Sequence, residues 1–144
     1  METNRELDFI MNWLSFTRIQ MNITNELERV LQEKHQLSLN EFYVLLFLSQ
    51  TPDKKLRLQQ LQNMVGLSQS AMSRLVGRLE AKSCGALERQ TCQEDRRGIY
   101  TSITEVGDEQ LGKAVKTFNE KVSNFLLNTD LEHELYSLVD YFKK

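Results

Sequence analysis

The sequence predicts a mainly α-helical protein with one small β-hairpin. Three observations carry this: apolar residues recur at helical spacing through most of the 144 positions, one Pro and six Gly leave few breaks, and only residues 86–91 and 99–103 alternate as short strands do. With 40% hydrophobic and 26% charged residues, the chain has the make-up of one globular domain spanning 1–144.

From Asn4 to about Glu33, Phe9, Trp13, Phe16, Ile23, Leu27 and Val30 recur at three, four or seven, while Leu7, Ile10, Met11 and Leu14 form a second stripe. This spacing predicts a long helix with two apolar faces. A start signal follows in "LSLNEF": Ser38 as N-cap, Glu41 completing a capping box, and Leu37 and Phe42 as a hydrophobic staple. The helix it opens, ending near Ser49 before Pro52, is apolar almost all round and belongs at the centre of the fold. Leu58, Leu61, Met64 and Val65 then give a short amphipathic helix stopped by Gly66. Ser68 caps the next, from Gln69 to about Ser83, which buries Met72, Leu75, Val76 and Leu79. After the hairpin, Thr104 opens a long helix with Glu105, Asp108 and Glu109 at its positive end, and a last helix from about Asp130 carries Leu131, Leu135, Leu138, Val139 and Phe142.

Charge divides the chain in three. Residues 1–52 carry −3, residues 53–101 carry +4 and residues 102–144 carry −3, so a basic middle lies between acidic ends. Such asymmetry points to a polyanion partner for the middle segment. Acids at Glu2, Glu6 and Asp8, and no apolar run of about 18 residues, speak against a signal peptide and a membrane span, and thus for a cytoplasmic protein.

Helix, three-residue turn, capped helix and basic-tipped hairpin together describe a winged helix-turn-helix. A helix fits the DNA major groove, and the side chains near its N-terminus, here Gln69, Ser70, Ser73 and Arg74, reach base edges or flanking phosphates. Arg96 and Arg97 at the hairpin tip suit the narrow minor groove, with Asp95 as a brace for a neighbouring guanidinium; Arg57 and Ser68 suit the DNA backbone. Arg78 and Arg89 are open between DNA contact and an ion pair with Glu80 or Glu88.

"LRLQQLQNMVGLSQSAMSRLVGRLE" followed by "GALERQTCQEDRRGIYTSITEVG" resembles the helix-turn-helix and wing of the MarR family of bacterial transcription regulators. The matching pieces are the Leu-Ser opening of the recognition helix, Arg74-Leu75-Val76, Leu79-Glu80, the Asp95-x-Arg97 pair and Thr104-x-x-Gly107. The resemblance implies a homodimer on a pseudo-palindromic operator whose first and last helices (1–36 and 108–144) interlock while 37–107 binds double-stranded DNA; a repressor is the expected sign of regulation. It also implies a small-molecule or oxidant signal. This chain departs from the pattern in inserting Ser83 and Cys84 before Gly85, and in having Arg57 where a Ser or Thr cap is usual.

Other residues offer less. Cys84 and Cys92, eight apart across the hairpin base, are candidates for a redox pair, although a small buried hydrophobe is the commoner role of a lone cytosolic thiol. Trp13, Phe16, Tyr43 and Phe47 are candidates to line a pocket for a small aromatic effector, against the commoner role of core or dimer interface. His35 and His133 are too far apart in sequence to suggest a metal site. With no Gly-rich phosphate loop, HExxH or nucleophile with a placed base, neither an enzyme nor a cofactor is expected. The rival function is a winged-helix module that docks on an acidic protein and ignores DNA.

Overall fold

The computed structural model describes residues 2–81, 85–91, 99–126 and 131–143. Among these, six helices and three strands follow in the order α1 (Glu2–His35), α2 (Leu39–Gln50), β1 (Lys55–Arg57), α3 (Leu58–Val65), α4 (Gln69–Ala81), β2 (Leu87–Thr91), β3 (Ile99–Ile103), α5 (Glu105–Leu126) and α6 (Leu131–Lys143). The mainly helical fold with a hairpin is therefore as the sequence predicts. One element is additional: Lys55–Arg57 forms a third strand, so the sheet runs β1-β3-β2, antiparallel throughout. Three residues are too few to show the period-two pattern by which the other strands are recognised.

α2 lies at the centre because its sequence leaves it no polar side to turn outward. Leu39, Phe42, Val44, Leu45 and Leu48 are buried there, joined by Leu27 and Leu31 of α1, Leu61 of α3, Met72, Leu75, Val76 and Leu79 of α4, and Leu111 and Ala114 of α5. The capping box forms as expected, with the Glu41 N–H donating to Ser38 Oγ at 3.0 Å and the Ser38 N–H donating to Glu41 Oε1 at 2.9 Å. Leu37 and Phe42 are both buried, as a staple requires. α3 is amphipathic as its spacing predicts: Leu61 is buried, Leu58 and Val65 pack against the core, and of the four apolar positions only Met64 faces solvent.

α1 divides into two halves. Its C-terminal part packs on α5 and α2 through Leu27, Val30 and Leu31, whereas Leu7, Phe9, Ile10, Met11, Trp13, Leu14 and Phe16 are all exposed. α6 repeats this exposure with Tyr136, Tyr141 and Phe142. Among the described residues, no helix is long and apolar enough to cross a membrane.

Candidate nucleic-acid interface

The turn between α3 and α4 is fixed by backbone and cap. Gly66 takes the left-handed conformation (φ 85°) that L side chains resist, and its N–H closes α3 by donating to the Gln62 carbonyl at 2.7 Å. Ser68 Oγ accepts the Ala71 N–H at 3.2 Å, and its carbonyl accepts the Met72 N–H at 2.9 Å. α4 thus begins where the sequence places it.

With Met72, Leu75, Val76 and Leu79 buried, helical geometry turns Gln69, Ser70, Ser73 and Arg74 to solvent. Arg78, one turn beyond Arg74, is exposed on the same side. Neither α3 nor α4 has an acidic residue in its first turn, so no side chain there offsets the positive end of the helix dipole. A helix start of that kind attracts phosphate.

Arg57 closes β1 and stands at the N-cap of α3, its N–H donating to Gln60 Oε1 at 2.9 Å. A guanidinium has no acceptor, so it cannot complete the cap as Ser or Thr would. An open groove brings Arg57, Gln59, Gln62 and Gln69 together with Arg89 of β2. Arg89 donates through Nε to Glu80 of α4, which decides its ion pair in favour of Glu80 and ties α4 to the sheet. Gln90 Nε2 donates to Glu88. The sequence left Arg89 undecided; its place on the groove depends on the pairing of β2 with β3, which local pattern does not reveal.

Asp95, Arg96, Arg97 and Cys92, together with Ser83 and Cys84, lie outside the described residues. The strands flanking the tip are described, paired in register from Leu87↔Ile103 to Thr91↔Ile99.

The sheet is locked to α5 at one seam. Thr104 Oγ1 lies 2.7 Å from the Gly85 carbonyl and 3.0 Å from that of Ala86, as a donor, and accepts the Gly107 N–H at 3.1 Å. A Cβ on Gly107 would sit 2.3 Å from the Ala86 carbonyl oxygen, so this close approach requires glycine. Lys54 and Asp108 add an ion pair at 3.1 Å across the same seam.

Where α1 ends, His35 Nε2 lies 2.7 Å from Thr117 Oγ1 of α5, and the His35 carbonyl accepts from Gln110 at 3.2 Å. Burial, with Lys34 and Lys113 nearby, holds the imidazole below its usual pKa. The Arg29 guanidinium, and after it Lys121, keeps Glu26 low in the same α1–α5 contact. Burial pushes the Tyr43 phenol up. Among the described residues, no three His, Cys, Asp or Glu side chains are grouped to hold a metal ion. Trp13 and Phe16 pair with each other on the exposed half of α1, ring centroids 6.0 Å apart, while Tyr43 and Phe47 pack on the core.

Residues 35–98 match the model of the MarR family. No functionally curated protein shows significant sequence similarity to the chain. In fold, it is similar to AbsC, a MarR family transcriptional regulator from Streptomyces coelicolor, with a TM-score of 0.78 and 25% identity over 92% of this chain and 90% of that one. Similar too is Sco3205, a MarR family transcriptional regulator from the same organism solved in complex with DNA (TM-score 0.80, 23% identity, 92% of this chain and 82% of that one). The transcriptional repressor CouR, bound to a 23-mer DNA duplex, gives a TM-score of 0.75 at 21% identity over 90% of each chain.

Proposed function

The chain carries a winged helix-turn-helix of the MarR family, and from that premise we propose that it is a sequence-specific double-stranded-DNA-binding transcription regulator, acting as a repressor and as a homodimer on a pseudo-palindromic operator. The observation that carries this reading is the start of α4: a capped, acid-free helix end that presents Gln69, Ser70, Ser73 and Arg74 to solvent beside a groove holding Arg57 and Arg89. Gln69, Ser70, Ser73 and Arg74 enter the major groove, Arg57 and Ser68 meet the backbone, and Arg96 and Arg97, with Asp95 as brace, reach the minor groove. The DNA in the Sco3205 and CouR structures supports the choice of partner, and the name of CouR the sign of regulation. Action on chromosomal DNA puts the protein in the cytoplasm and assigns it no reaction of its own. No specific observation favours docking on an acidic protein.

The homodimer is supported by exposed area. A compact 16.9 kDa monomer exposes about 7,700 Å², whereas this chain exposes 10923 Å². The surplus is of the size that obligate subunit interfaces cover. It is rich in large apolar side chains on α1 and α6, so residues 1–36 and 108–144 form the dimerisation region and 37–107 the DNA-binding part. Two recognition helices about a two-fold axis then bind half-sites roughly 34–36 Å apart.

The test pairs Arg74→Ala with Arg97→Ala in a mobility-shift assay on duplexes selected from random DNA by the wild-type protein. Loss of binding with folding intact is the expected result. A folded double variant that binds as wild type would refute the assignment.

A further inference from the structure

The outer face of the sheet holds a feature that recognition by α4 leaves unused. Strand register sets Arg57 opposite Tyr100 and Lys55 opposite Ser102. Because side chains alternate along a strand, Lys55, Arg57 and Tyr100 share one face, while Leu56 and Thr101 turn into the core. Lys55 Nζ lies 5.1 Å, and Arg57 Cζ 5.2 Å, from the centroid of the Tyr100 ring. Each cation is attracted by the negative face of the same ring. The ring thus gives two cations of one strand a common anchor.

Both cations border an open recess between β1 and α3, lined as well by Gln59, Gln60 and Asn63, with Asp53 as an acid on its rim. The first helix of a helix-turn-helix crosses the sugar-phosphate backbone, and here that helix is α3. Charge, hydrogen-bond donors and position all suit a phosphate strand better than a base edge, because a cation held at a fixed place neutralises phosphate without reading sequence.

We propose that Tyr100 is a positioning residue that holds Lys55 and Arg57 as a paired contact for the phosphates of one operator strand, outside the stretch read by α4. The proposal rests on the DNA-binding reading and adds two residues to it, Lys55 and Tyr100. It also gives a physical reason for arginine at the α3 cap: a side chain that cannot cap is kept in place by an aromatic neighbour.

The experiment uses the full chain and a duplex recovered by wild-type selection, with affinity measured from about 50 to 200 mM salt. Lys55→Ala is expected to weaken binding and to flatten the log–log salt slope by about 0.9, the value of one phosphate contact. Tyr100→Leu is expected to weaken binding roughly fivefold, equivalent to one exposed cation–π interaction, while Tyr100→Phe keeps wild-type affinity because the ring remains. In a Lys55→Ala, Arg57→Ala background, Tyr100→Leu is expected to change nothing further, since the ring then has no cation to hold. Melting temperatures accompany each variant. An unchanged slope for Lys55→Ala, or an equal loss from Tyr100→Leu in both backgrounds, overturns the proposal; Lys55, half-buried and outside the core, carries the test even where a Tyr100 variant fails to fold. If Arg74→Ala abolishes binding while Lys55→Ala has no effect, this contact is refuted and the regulator reading stands. If wild-type protein recovers no duplex, both fall.

Discussion

The middle of this chain and its two ends both carry large apolar side chains at helical spacing, but those side chains reach opposite states. In the middle, α2 is surrounded: Val44, Leu45 and Leu48 have no exposed surface, and α1, α3, α4 and α5 close over them. At the ends, Phe9 is 71% exposed, Tyr141 73% and Phe142 77%. Burial of side chains such as these stabilises by about 1.5–3 kcal/mol each, so leaving them in water forgoes most of what their sequence offers. The contrast teaches that hydrophobic spacing announces that a face will be covered without saying by which chain. The middle is satisfied within one copy. The ends are left open, and a second copy is the cover proposed for them.

The strongest way to break the comparison is to damage the closed half. Leu45→Ala removes a side chain with no exposed surface and no solvent path to relax into, and is expected to cost about 2–5 kcal/mol in denaturant unfolding. A loss under about 1 kcal/mol would mean that the core is not where the burial places it.

Next in size is the effect at the ends. Trp13→Glu with Phe142→Glu is expected to raise the dimer dissociation constant at least about 100-fold in sedimentation, while the helical content of the subunit persists. Unaltered association would show that these faces pair with something other than a second copy.

The smallest effect lies at the junction of the two regions, where His35 meets Thr117. Its pKa is lowered in the folded protein, so the unfolded chain binds its proton more readily. The stability contributed by neutral His35 is full above the ordinary histidine pKa and falls as pH drops through it. His35→Gln is therefore expected to flatten the decline of melting temperature on acidification from neutral pH. An unchanged pH profile would remove His35 from the junction's energetics.

Much of the fold was legible because local signals and tertiary demands agree. Ser38 with Glu41, Gly66 and Ser68 fix three helix ends through contacts within four residues, and each forms as the sequence predicts. The exposed quartet Gln69, Ser70, Ser73 and Arg74 follows from the burial of Met72, Leu75, Val76 and Leu79 at helical period. What stayed hidden depends on long-range register. Strand β1 is too short to alternate visibly, so the meeting of Arg57 with Tyr100, forty-three positions on, could not be read. Arg89 was ambiguous for the same reason, since its choice of Glu80 is made by the packing of β2 on α4. The exposure of Trp13 was equally beyond periodicity, which reports a face and not its occupant.

The seam at Thr104 and Gly107 joins α5 to the sheet through hydrogen bonds and a close backbone approach. The Gly107 backbone approaches Ala86 too closely for a Cβ between them, and Thr104 is bound to carbonyls on the sheet side while capping the helix. A pivot of about 5° there would carry the far end of a five-residue strand roughly 1.4 Å. In the proposed homodimer, a tilt of the long helix would carry β2 and β3 with it, so the spacing between the two copies' sheets would be set at a point remote from both.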